Sequence, residues 1–120
     1  MRILLADEHE LVRETIAAFL ENEDGFSVMQ SSDLPDVERA IGSHDPFDLV
    51  LLDYEMPGMN GPEAVKKIRA MGCDSFVAGV TGNLFPEDIA YFKDCGANIV
   101  LGKPFNLREL VNSLVEFGVM

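Results

Sequence analysis

Asp48-Leu49-Val50-Leu51-Leu52-Asp53-Tyr54-Glu55-Met56-Pro57-Gly58-Met59-Asn60-Gly61 passes from four apolar residues through an acid into a turn. An apolar run of that length, bounded by polar and turn residues, predicts a strand buried on both faces. Open α/β sheets bind their ligands at the carboxyl ends of the strands, so Asp53 stands where a functional group is expected.

Upstream, residues 2–6 read as another buried strand. A helix follows from Glu8 to Glu21, with Val12, Ile16, Phe19 and Leu20 as its apolar stripe. Asn22 to Gly25 breaks that helix, and Phe26 to Gln30 reads as a short strand. Asp33 is an N-cap candidate with Asp36 three residues on, and Val37, Ala40 and Ile41 stripe the next helix. Residues 42–46 form a loop, and Phe47 to Leu52 is the central strand.

Downstream, Asn60 and Glu63 have the spacing of a capping box, and Pro62 falls in the first turn, where a missing N–H costs nothing. Ala64, Val65, Ile68 and Met71 line a third helix that Gly72 can end. Phe76 to Val80 is a strand that ends at Thr81. Pro86 opens a helix carrying Ile89 and Phe92, and Asn98 to Leu101 is the last strand. Asn106 caps a final helix with Glu109 three residues on and Leu107, Leu110, Val111 and Leu114 on its buried face. Five strand–helix alternations predict an α/β fold, a parallel sheet covered by helices on both faces, in one domain spanning residues 1–120.

A length of 120 residues suits one core, and 48% hydrophobic residues argue against disorder. No apolar run approaches the roughly 20 residues of a membrane span, and the N-terminus lacks the apolar core and cleavage site of a signal peptide. Cys73 and Cys95 are too few for a disulfide scaffold, so a cytoplasmic location with reduced thiols is expected. Nine basic against 21 acidic residues give a net charge of −12, which argues against direct binding to nucleic acid or anionic lipid.

A parallel sheet opens all its strand C-termini on one edge, so Asp7 and Glu8, Asp53, Thr81 and Lys103 converge. Taken singly, each has an ordinary explanation: a helix cap, a turn hydroxyl, a solvated lysine. Together they form a site. Clustered carboxylates repel, and a hard divalent cation such as Mg²⁺ (or Mn²⁺) relieves that with oxygen ligands. Asp7, Glu8 and Asp53 supply the carboxylates, with a backbone carbonyl near Glu55 as a further ligand. Asp53 is also a candidate nucleophile, because carboxylates form acyl phosphates when cations neutralise the transferring group. Lys103 suits that role as a compact ammonium, and Thr81 offers a hydroxyl to a phosphoryl oxygen. His9 reads as the start of the first helix, since a hard cation prefers oxygen, and His44 as a solvated loop residue.

These residues resemble the receiver domain of two-component response regulators. The likeness spans the whole chain. It rests on the acidic pair Asp7-Glu8, on Asp53-Tyr-Glu-Met-Pro-Gly-Met-Asn-Gly61, on Thr81, and on Gly96-Ala97 followed by Lys103-Pro104-Phe105. The resemblance implies a flavodoxin-like sheet of order 2-1-3-4-5, with Asp53 as phosphoacceptor. A histidine kinase or a histidine phosphotransfer protein would donate in a Mg²⁺-dependent phosphorelay step. The domain would catalyse its own phosphorylation and dephosphorylation rather than turn over a free substrate. It further implies a cis Lys103–Pro104 bond, switch roles for Thr81 and position 100, and rate tuning by Glu55 and Asn83. Partner binding or dimerisation would use the face of the fourth helix, fifth strand and fifth helix.

This chain departs from the family at three places. Glu8 replaces the commoner Asp, and Gly82 replaces the usual Ala, leaving the pocket open. Val100 stands where an aromatic ring often rotates, and a valine has no ring to swing. Asp7 to Arg13 is similar to receivers fused to DNA-binding domains, whereas Val80-Thr-Gly-Asn83 looks more like those of hybrid kinases. Three rival readings share the strand-end acid. A haloacid dehalogenase-type phosphatase, metal-dependent and working through an aspartyl phosphate, would need a second Asp two residues after Asp53. A flavin carrier would need a Ser/Thr/Gly-rich phosphate loop in place of Asp7-Glu8-His9-Glu10. A degenerate receiver acting only as a binding module is opposed by the presence of Asp53, Thr81 and Lys103.

Overall fold

In a computed structural model that describes residues 1–23, 25–43 and 45–120, strands and helices alternate along the whole chain. They are β1 (Arg2–Ala6), α1 (Glu10–Glu21), β2 (Ser27–Ser31), α2 (Leu34–Ile41), β3 (Leu49–Asp53), α3 (Gly61–Ala70), β4 (Phe76–Thr81), α4 (Pro86–Asp94), β5 (Ile99–Gly102) and α5 (Leu107–Glu116). The strands form one parallel sheet in the order β2-β1-β3-β4-β5, as expected. Strand ends differ from the sequence reading by one or two residues, chiefly at β2 and β3. His44 and Asp24 lie outside the described residues.

Side chains alternate across a strand, and the two faces of the sheet build two cores. Leu4, Val50, Leu52 and Val77 meet α2, α3 and α4 through Val37, Val65, Ile68 and Phe92. Ile3, Leu5, Leu49, Leu51 and Ala78 meet α1 and α5 through Ala17, Leu20, Leu110 and Leu114. β3 is buried along its whole length, as its unbroken apolar run requires.

The expected stripe of α1 is only half right. Val12 and Phe19 are 40% and 48% exposed, while Ala17 and Leu20 are buried. At about 100° per residue, Phe19 falls roughly 200° around the helix from Ala17, on the solvent side. Met71, at the end of α3, is also exposed. The caps hold as read: Asp33, Asn60 and Asn106 accept from the backbone N–H groups of Asp36, Glu63 and Glu109.

Two local devices fix the helices to the sheet. The Arg69 guanidinium donates to the carbonyls of Cys73 (2.8 Å), Ser75 (2.8 Å) and Gly96 (3.0 and 3.2 Å), and to Asn98 Oδ1 (3.0 Å). It thereby ties α3 to the loops entering β4 and β5. At the other end, Gly61 begins α3 directly against β3. A methyl group there would overlap the Asp53 carbonyl oxygen and approach Phe92 Cζ to 2.8 Å. Gly61→Ala is therefore expected to lose about 1–3 kcal/mol in urea unfolding through overpacking. Wild-type stability in that variant would show that the turn has room to give.

Candidate functional site

Parallel pairing sets the ends of β1, β3 and β4 side by side and brings the loop after β5 next to them. Asp7 follows β1, Asp53 ends β3 and Thr81 ends β4; all three are buried. Lys103 Nζ reaches back from beyond β5. It lies 2.7 Å from Asp7 Oδ2, to which it donates, and 3.0 Å from Asp53 Oδ1. The other Asp7 oxygen accepts from the His9 backbone N–H at 2.9 Å, and Arg13 donates to the Asp7 carbonyl. The Lys103–Pro104 bond is cis, as the resemblance implied.

The electrostatics follow from burial. Withdrawal from water pushes the Asp53 acid up from 3.8 to about 6. The Lys103 hydrogen bond pulls it down, and the nearby charges of Asp7 and Glu55 raise it further. Burial lowers the Lys103 ammonium, but hydrogen bonds to Asp7 and Asp53 outweigh this and hold it above its ordinary value. One cation thus faces more acid than it can neutralise.

A cleft of about 450 Å³ opens over Asp53 and Lys103, lined also by Tyr54, Thr81, Gly82 and Asn83. A Cβ at Gly82 would touch nothing, so the cleft is open there, as expected. The Thr81 hydroxyl is engaged with its own loop: it accepts from Asn83 N–H and donates to Asn83 O, both at 3.2 Å. A larger cleft, about 760 Å³, lies at the opposite sheet edge. Polar side chains there serve the fold: Ser75 Oγ donates to Phe47 O, and Asn98 Oδ1 accepts from Val77 N–H.

The acids divide into two sets. Ligand atoms of Asp7, His9 and Asp53 lie within 4.8 Å of one another, and so do those of Glu8, His9 and Glu55. Glu8 therefore sits at the exposed rim with Glu55, beside rather than against Asp53. His9, read as a helix start, is the N-cap of α1. Its ring also stands 3.4 Å from Asp7 Oδ1 and 3.9 Å from Glu8 Oε1. The run Asp7-Glu8-His9 was the signal for that placement. Nothing local in the sequence marks Asp88, which reaches the cleft from α4. Val100 is half-buried on β5, packed against the core that holds Phe92.

The description "Response regulator receiver domain" belongs to the family model that matches residues 3–115. The two-component response regulator ORR41 of Oryza sativa subsp. japonica is 32% identical over 98% of this chain and 94% of its own length. The sensory/regulatory protein RpfC of Xanthomonas campestris pv. campestris is 32% identical over 99% of the chain, which spans only 17% of that protein. Among solved structures, chemotaxis protein CheY4 of Vibrio cholerae superposes with a TM-score of 0.83 at 27% identity, covering 96% of each chain.

The raised acid of Asp53 has a signed consequence. Between pH 4 and 6 the folded state binds a proton that the unfolded chain releases, so stability falls as pH rises through that window. The penalty is full above about pH 6 and absent below about pH 4. In metal-free buffer, Asp53→Asn is therefore expected to be more stable than wild type at pH 7.5 by on the order of 2 kcal/mol. The gain should vanish near pH 4, as read by thermal unfolding. A gain that is independent of pH would show that the charge is not its source.

Proposed function

Because the chain belongs to the response regulator receiver domains, we propose that Asp53 accepts a phosphoryl group from a histidine kinase or a histidine phosphotransfer protein. Residues 1–120 act as one receiver unit in this reading. The observation that carries it is the bridge from Lys103 Nζ to Asp7 and Asp53 beneath an open cleft.

A carboxylate oxygen of Asp53 attacks phosphorus, the bond from phosphorus to the donor imidazole nitrogen breaks, and its electron pair stays on that nitrogen. The product is an acyl phosphate. Lys103 is placed to meet the new phosphoryl charge, in the manner of fixed cations that stabilise transferring phosphoryl groups. In hydrolysis a water oxygen attacks phosphorus, the bond from phosphorus to the Asp53 oxygen breaks with its electron pair returning to the carboxylate, and inorganic phosphate leaves with a proton released to solvent. Thr81 must give up the bond it donates to the Asn83 carbonyl before its hydroxyl can donate to a phosphoryl oxygen. Position 82 leaves room for the incoming group.

The donor set suits a hard cation, being carboxylates in excess of the one ammonium that faces them. Asp7 and Asp53 would hold Mg²⁺ or Mn²⁺, with Glu8 and the Glu55 carbonyl on the rim side. Such an ion, when bound, neutralises charge on the transferring oxygens. Partners would read the change on the face of α4, β5 and α5, where Tyr91 and Val115 are exposed. That face is also where a dimer would form. The net charge of −12 supports protein partners over direct nucleic-acid contact. No helix among the described residues is long and apolar enough to cross a membrane, and both cysteines are free, which supports a cytoplasmic setting.

Acetyl phosphate with Mg²⁺ is expected to label the wild-type chain and leave Asp53→Asn unlabelled in intact-mass measurements. Label on that variant would overturn Asp53 as the acceptor. Titration of Mg²⁺ should show affinity about tenfold weaker in Glu8→Ala. Unchanged affinity would remove Glu8 from the ligand set.

A further inference from the structure

Val100 carries no ring, yet an aromatic contact does join the acceptor site to a helix. Tyr54 follows Asp53 directly, and its ring meets Phe92 of α4 edge-to-face, with centroids 5.6 Å apart and planes at 80°. Phe92 is fully buried. Its ring fills a notch left by two glycines: a Cβ at Gly79 would come within 2.8 Å of three ring carbons, and one at Gly61 within 2.8 Å of Cζ. Gly79 lies on β4 two residues before Thr81, and Gly61 abuts the Asp53 carbonyl. The Tyr54 backbone completes the frame, since its N–H donates to Val80 O and its carbonyl accepts from Gly61 N–H, both at 2.7 Å.

A single side chain of α4 therefore touches three segments around Asp53: the Asp53–Tyr54 step, the start of α3, and the strand that ends in Thr81. We propose that Phe92 and Tyr54 form the contact through which the state of Asp53 sets the seating of α4. This rests on the phosphoacceptor reading of Asp53. Close-packed cores respond by discrete shifts rather than smooth deformation, so a change at the Asp53–Gly61 turn or at Thr81 must move the ring or be resisted by it. Coupling of this kind is reciprocal: a partner that holds α4 would alter how readily Asp53 is loaded.

The double variant Phe92→Ala/Gly79→Met separates coupling from packing. It moves the bulk from helix to strand, refilling the core while removing the ring that α4 sends to Tyr54 and Gly61. Beryllofluoride with Mg²⁺ serves as the phosphoryl mimic, and amide ¹H–¹⁵N shifts report on residues 81–94. In wild type the mimic should move the amides of Thr81, Gly82 and α4 together. In the double variant Thr81 and Gly82 should still move, and the displacement across α4 should be lost. Tyr54→Leu keeps apolar bulk without the ring edge and should show the same loss, so the test survives if the double variant does not fold. An undiminished α4 displacement in either folded variant overturns the proposal. Failure of the mimic to shift Thr81 in wild type would instead overturn the reading of Asp53 itself, and this coupling with it.

Discussion

The ammonium of Lys103 holds two buried carboxylates at the edge of one sheet. Asp7 and Asp53 are neighbours because the topology makes β1 and β3 neighbours. Their mutual repulsion, sharpened by burial, would be a standing penalty without a cation between them. Lys103 supplies it from beyond β5, 2.7 Å from Asp7 and 3.0 Å from Asp53. It does not offset burial and the neighbouring charge fully: withdrawal from water first, and the charge of Asp7 after it, hold the acid of Asp53 up at about 6. The remaining imbalance leaves this edge with more negative charge than its one ammonium neutralises.

Much of this was legible in the sequence because it depends on features of short range. Apolar runs and strand–helix alternation gave the parallel sheet. Its geometry then placed Asp7, Asp53, Thr81 and Lys103 together without knowledge of any contact. Asp33, Asn60 and Asn106 were readable as caps because capping acts over three residues. Phe19 and Val12 were misplaced because helical periodicity identifies an apolar stripe but not which edge of a wide stripe the sheet will cover. The rim position of Glu8 was hidden for a different reason. Asp7 and Glu8 lie in the loop between β1 and α1, whose backbone course the sequence does not give, and there Asp7 turns inward while Glu8 faces Glu55.

The seat of Phe92 could not have been read at all. It depends on two absences, at Gly61 and Gly79, on different elements and far apart in the chain. A glycine in a buried strand signals close approach of something, without naming it. Only the packed structure shows that one ring occupies both vacancies, and that Tyr54, the residue after Asp53, leans on it.

The Arg69 clamp gives the opposite end of the sheet a different character. Its partners are three backbone carbonyls and one side-chain amide oxygen, all neutral. The clustered carboxylates lie at the edge that carries Asp7 and Asp53, and the Arg69 clamp contains no acid. The domain is thus tied by neutral partners at one end of the sheet and carries its clustered charge at the other, so a change of ionic conditions that reaches Asp7 and Asp53 leaves the Arg69 clamp with the same partners.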